Sequence, residues 1–173
     1  MLAACGGSGG TAAHHPTSAS ALQMYTGTSF SMSYPAGWHK NASGDQVTFA
    51  DPIGRNVMAV FADPDLMGAQ SASAVADQAM SRFEGTLLAN AQAVTVPPTY
   101  AIASVTWIQR SATGILAITD PGVQGNFFLL VVNYPANAKN ATMYEIEYYG
   151  PAATFSQANV NFMTMLRSFS FKS

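Results

Sequence analysis

From about residue 24 onward the chain alternates short apolar runs with turn residues, and the spacing inside each run assigns it an element. Phe30, Met32 and Tyr34 are separated by single serines, the period of a strand with one buried face, and Pro35-Ala36-Gly37 ends it. Residues 47–50 and 57–62 are two further apolar runs joined by Asp51-Pro52-Ile53-Gly54-Arg55-Asn56, whose Pro and Gly predict a tight reversal between antiparallel strands. In 57–62 and again in 127–132 both alternating sets of positions are apolar, which predicts strands covered on both sides.

Two helices are available to provide that cover. Between Ser71 and Asn90, Val75, Ala79, Phe83 and Leu87 recur at every fourth position, with Asp77, Ser81, Arg82 and Glu84 elsewhere around the cylinder. Near the C-terminus Thr154 and Gln157 have the spacing of a capping box, Phe155, Phe162, Met163 and Leu166 form an apolar stripe, and Pro151 bars an earlier start. Strand-like segments at 101–110, 114–119, 126–134 and 142–149 lie between, broken at Asp120-Pro121-Gly122 and Pro135-Ala136-Asn137, and 168–171 alternates once more. Short connections favour antiparallel neighbours, so the pattern predicts an α+β domain, a mainly antiparallel sheet with a helix on each face.

Composition narrows the function classes. A length of 173 residues suits a single domain. Apolar residues make up 49% of the chain and charged residues 9%, against roughly 25% charged in an average soluble protein. Seven Lys and Arg against nine Asp and Glu give a net charge of -2, with no basic stripe to neutralise phosphates, so nucleic acid is not an expected partner. The longest apolar run, 127–132, is too short to span a bilayer. One cysteine excludes an internal disulfide framework and a Cys-rich zinc site.

That cysteine sits in Leu2-Ala3-Ala4-Cys5, the form of a lipobox, at which bacterial lipoproteins are cleaved and acylated on the cysteine. The leader such a signal requires would stand upstream of Met1, in a stretch trimmed from or replaced in the chain as written. Residues 6–23 are a Gly/Ser/Ala tract without charge, which reads as a flexible tether to a domain spanning 24–173. The expectation is an extracytoplasmic protein held at a bacterial membrane through acylated Cys5.

Signals for chemistry are weaker. Gly6-Gly7-Ser8-Gly9-Gly10 has the letters of a nucleophile elbow but lies in the tether, without the strand and helix that motif needs. His14 and His15 have no third ligand nearby, and no metal or cofactor is expected. His39 is the one imidazole inside the domain, read as a turn-edge residue; a general base there would need a cleft and an orienting carboxylate. Trp38 reads as a plug at the end of the core or as an exposed recognition anchor. Glu145 and Glu147 alternate with Tyr144, Ile146 and Tyr148, so both carboxyls share one strand face about 7 Å apart. Such a pair is ordinarily a solvated face; a catalytic pair at that spacing would suit an inverting glycosidase. Asp51, Asp63 and Asp65 lack an EF-hand pattern and suit turns and caps, and the nine methionines suit a core.

Three stretches then read together: Phe30-Ser31-Met32-Ser33-Tyr34-Pro35-Ala36-Gly37-Trp38, Val47-Thr48-Phe49-Ala50-Asp51-Pro52, and Tyr144-Glu145-Ile146-Glu147-Tyr148 through Ser168-Phe169-Ser170-Phe171. Together they resemble a PsbP-like domain over about residues 24–173. The resemblance implies the α/β/α sandwich of the Mog/PsbP superfold and a mostly non-enzymatic family. That family includes the extrinsic P-protein of photosystem II, Ran-binding Mog proteins and bacterial lipoproteins. Its motifs place strands and turns, and carry no reactive groups onto positions here.

The leading expectation is a lipid-anchored, non-catalytic interaction module of the cell envelope. A small-ligand-binding lipoprotein is the alternative, with a hydrolase using Glu145, Glu147 or His39 behind it. A concave, polar-dotted pocket would favour the second and a cleft carboxyl with a perturbed pKa the third.

Overall fold

The computed structural model describes residues 21–64, 70–117 and 121–172. Strands β1 (Leu22–Thr26), β2 (Phe30–Pro35), β3 (His39–Ser43), β4 (Gln46–Ala50) and β5 (Val57–Asp63) come first, followed by helix α1 (Ala72–Thr86). Then come β6 (Leu88–Ala93), β7 (Thr99–Ile102), β8 (Val105–Leu116), β9 (Gln124–Tyr134), β10 (Thr142–Pro151), helix α2 (Ala152–Arg167) and β11 (Ser170–Phe171). Eight strands form one sheet in the order β3-β4-β5-β10-β9-β8-β6, with β7 also paired to β8; β1, β2 and β11 form a second, smaller sheet. Every pairing is antiparallel.

Strand alternation separates two cores. Phe127, Leu129 and Val131 of β9 pack with Val75, Ala79 and Phe83 of α1 on one face. Leu130 and Val132, with Tyr144, Ile146 and Tyr148 of β10, pack on the other face with α2 and the small sheet. The layers are therefore α1, the large sheet, and α2 with the small sheet, which is the two-sided cover that the runs at 57–62 and 127–132 call for. Buried Met32, Met58, Met143 and Met165 are core, as expected.

Several boundaries differ from expectation. Helix α1 starts where Ser71 caps it, its side chain accepting from the Ala74 N–H, but it ends at Thr86 instead of near Asn90. The Leu87 N–H closes on the Phe83 carbonyl, and the following residues pair with β8 as β6, through an irregularity beside Asn90, whose φ is 54°. Residues 101–110 are two strands, because Ala103 and Ser104 both take positive φ and make a two-residue hairpin turn. Strand β8 runs on through 111–114, paired with β9 on one side and with β6 on the other. The Thr154–Gln157 capping box does not form: α2 begins at Ala152, and the Thr154 hydroxyl donates back to the Pro151 carbonyl. Strand β1 begins at Leu22, so two residues counted with the tether belong to the small sheet. Cys5, Gly6–Gly10, His14 and His15 lie outside the described residues.

Candidate functional site

The α1 side of the large sheet is where ionisable groups converge. Alternation along β10 points Met143, Glu145, Glu147 and Tyr149 toward α1, and β10 lies between β5 and β9 in the interior of the sheet. Glu147 is only 5% exposed on this face. Arg82 reaches down from α1 and sets Nη2 3.1 Å from Glu145 Oε1 and 3.8 Å from Glu147 Oε1. Its guanidinium also lies 4.9 Å from the centroid of the Phe83 ring.

A cleft of about 710 Å³ opens beside this network, between α1, the end of β5 and the β3–β4 turn. Phe61, Phe83 and Met143 supply apolar wall, and Asp45 and Asp63 add two further carboxyls to its rim. The Asp45 Oδ1 is buried without a hydrogen-bond partner. Burial is the main cause that raises the Glu147 carboxyl to about 9; a hydrogen bond to Glu145 and the Glu145 charge act in the same direction, and Arg82 opposes them. Burial thus favours the protonated form of Glu147. Burial, and then the Glu147 charge, also push the Tyr149 hydroxyl up to about 12.

The structure corrects the solvated-face reading of this pair: both carboxyls are largely withdrawn from solvent beneath Arg82. The guanidinium, 3.1 Å from one and 3.8 Å from the other, bridges them. Ser43 at the end of β3 lines the cleft, whereas His39 is exposed at the other end of the same strand. That is about 13 Å away at 3.3 Å per residue. Trp38 is half-buried on the α2 side, edge to face with Phe162 at a ring-centroid distance of 5.9 Å. Asp51 serves its turn: Oδ1 accepts from the Arg55 N–H at 2.8 Å and Oδ2 from the Asn56 amide at 2.6 Å. Among the described residues no group of three or more His, Cys, Asp or Glu could hold a metal. Sequence reasoning missed Arg82, Asp45 and Asp63 as site residues. Arg82 stands 63 positions from Glu145, and only the packing of α1 on the sheet brings the two together.

The whole architecture has solved counterparts. The solution structure of cyanobacterial PsbP (CyanoP) from Synechocystis sp. PCC 6803 is similar over 99% of this chain and 99% of its own, with a TM-score of 0.55 and 18% identity. LpqN of Mycobacterium tuberculosis, described as involved in cell envelope biogenesis, is similar over 88% of this chain and 92% of its own, with a TM-score of 0.55 and 10% identity. The Ran-binding protein Mog1p of Saccharomyces cerevisiae is similar over 88% of this chain and 96% of its own, with a TM-score of 0.53 and 9% identity. The chain has the Mog/PsbP fold. At these identities the likeness extends to the fold and no further. None of the three descriptions names an enzyme. No family model and no curated protein matches the sequence. No helix among the described residues is long and apolar enough to cross a membrane.

Proposed function

We propose that this protein is a lipid-anchored, extracytoplasmic, non-catalytic binding module of a bacterial cell envelope. Cys5 carries the anchor, residues 6–23 the tether, and the carboxyl-lined cleft beside α1 receives the partner. The observation that carries the binding reading is the cleft beside α1, whose wall sets Phe61, Phe83 and Met143 next to Arg82, Glu145 and Glu147. The raised Glu147 carboxyl in that cleft is what the hydrolase reading calls for, but Arg82 engages both carboxyls and His39 stands exposed at the far end of β3. The fold shared with an envelope-biogenesis protein and a Ran-binding protein supports a binding role, and the lipobox supports the anchor.

Two measurements test it. In a bacterial host fed a labelled fatty acid, the full-length precursor should take up label and sediment with membranes, while Cys5→Ser should do neither; an unlabelled, soluble wild type overturns the anchor. In-cell crosslinking should recover a specific envelope partner with the wild type and lose it with Arg82→Ala. An unchanged partner set removes the cleft from the proposal. A second reading, a small-ligand carrier, is favoured by the cleft volume of about 710 Å³, inside the range of about 300–1,000 Å³ usual for such sites. Native mass spectrometry finding a co-purifying small molecule, displaced in Arg82→Ala, would select it over a protein partner.

A further inference from the structure

On the other side of the large sheet, α2 and the β4–β5 turn line an open recess of about 280 Å³. Thr154, Gln157 and Asn161 follow one another at intervals of three and four residues and so form one stripe along α2 that lines this recess. The buried residue within the same stripe is Ala158, whose small side chain leaves the hollow between them. Trp38 stands across from the stripe, half-buried, with Phe162 packed edge to face against it at an interplanar angle of 89°. The core thus holds the indole in place while part of it lines the opening. Ile53, 73% exposed, makes an apolar lip.

The charge state of the recess decides what it can recognise. Asp51 is the ionisable residue in the lining, and both of its oxygens are already satisfied within the β4–β5 turn. No Lys or Arg lines it, so an anion would find no counter-charge, and a cation would find no unengaged carboxylate. Instead the recess offers an aromatic surface, a hydroxyl and three carboxamides, of which Asn56 already donates to Asp51 while Gln157 and Asn161 keep both donor and acceptor. Gln157 is exposed and Asn161 half-buried, so both amides are open to a ligand. A purely apolar ligand would leave the amides unmatched.

We propose that this recess is a subsite for one ring of a neutral saccharide, with the ring's C–H face stacked on Trp38 and its hydroxyls hydrogen-bonded by Gln157 and Asn161. A sugar ring has the matching pair of properties: an apolar face, and neighbouring hydroxyls that each donate and accept. The size fits one ring and not a longer chain, because the volume lies just under the ~300 Å³ at which sites for larger ligands begin. The site is separate from the carboxyl cleft and does not depend on the role assigned to that cleft.

Fluorescence tests the proposal on the full chain, since the protein has two tryptophans and Trp107 is fully buried. Glucose, N-acetylglucosamine and maltose should each give a saturable change in emission with dissociation constants in the millimolar range, as a few neutral contacts allow. Gln157→Leu with Asn161→Leu should weaken binding about tenfold or more, the loss expected for two neutral hydrogen bonds, at an unchanged melting temperature. Arg82→Ala should leave binding as it is. Saturation-transfer NMR should lose the sugar signal in Trp38→Ala, with circular dichroism verifying that the variant is folded. No saturable response to any neutral sugar up to ~100 mM, an unaffected double variant, or tighter binding of glucosamine or glucuronate would overturn the proposal.

Discussion

At the scale of single residues, Glu147 is the group farthest from its ordinary chemistry. Its carboxyl is raised from 4.5 to about 9, with burial as the first cause. Between those two values the folded protein binds a proton that the unfolded chain has released, so this residue makes the fold lose stability as pH rises across that window. Glu147→Gln keeps the size and a neutral polar head and removes the titration. Melting temperatures measured from pH 5 to pH 9 should therefore fall less steeply in the variant than in the wild type, with the difference growing toward pH 9; parallel curves would show that Glu147 is charged in the folded state. The alternation of Glu145 and Glu147 with aromatic residues was enough to put both on one face of a strand. It could not say which face α1 would cover, nor that Arg82 would be the residue covering them, because such a contact depends on how a helix docks and leaves no local pattern.

At the scale of elements, one hydroxyl adds a polar tie to the apolar joint between α2 and the small sheet. The Ser168 Oγ accepts from the Ser33 N–H at 2.8 Å and donates to the Met165 carbonyl at 2.7 Å, tying the end of α2 to β2. Ser168→Ala leaves the half-buried Ser33 N–H without that acceptor and should cost about 1–3 kcal/mol, read as a lower midpoint in urea with an unchanged slope. A difference below ~0.5 kcal/mol would mean that water replaces the hydroxyl without loss. Element type was legible wherever periodicity ran long, as in α1, β9 and β10. It failed where pairing overrode local preference. Leu88–Ala93 continue the composition of a helix but complete the edge of a sheet, and Ala103-Ser104 carry none of the usual Gly or Asn marks of the turn they make. The capping box failed for a different reason: α2 already begins at Ala152, with Pro151 at the cap position, which puts Thr154 inside the first turn.

At the scale of the whole molecule, one sheet separates two cores, and their aromatic content differs. Phe162, fully buried, touches Trp38, Tyr148 and Phe155, with ring centroids 4.4–6.1 Å apart. Phe162→Ala should cost about 3–5 kcal/mol by chemical denaturation and should also loosen Trp38, raising its quenching by acrylamide; a smaller loss with unchanged quenching would mean that neighbouring rings collapse into the space. The sequence by itself determined the α+β class, the two-sided burial of the central strands, the turn role of Asp51 and the resemblance to the Mog/PsbP fold. Each of these follows from short-range periodicity or from residues that set backbone conformation locally. Only the tertiary structure decided that β1, β2 and β11 form a separate sheet, that the Glu147 carboxyl is buried and its pKa raised, and that a cleft and a Trp38 recess lie on opposite sides of one sheet. These depend on distances between segments tens of residues apart, fixed by the packing of whole layers.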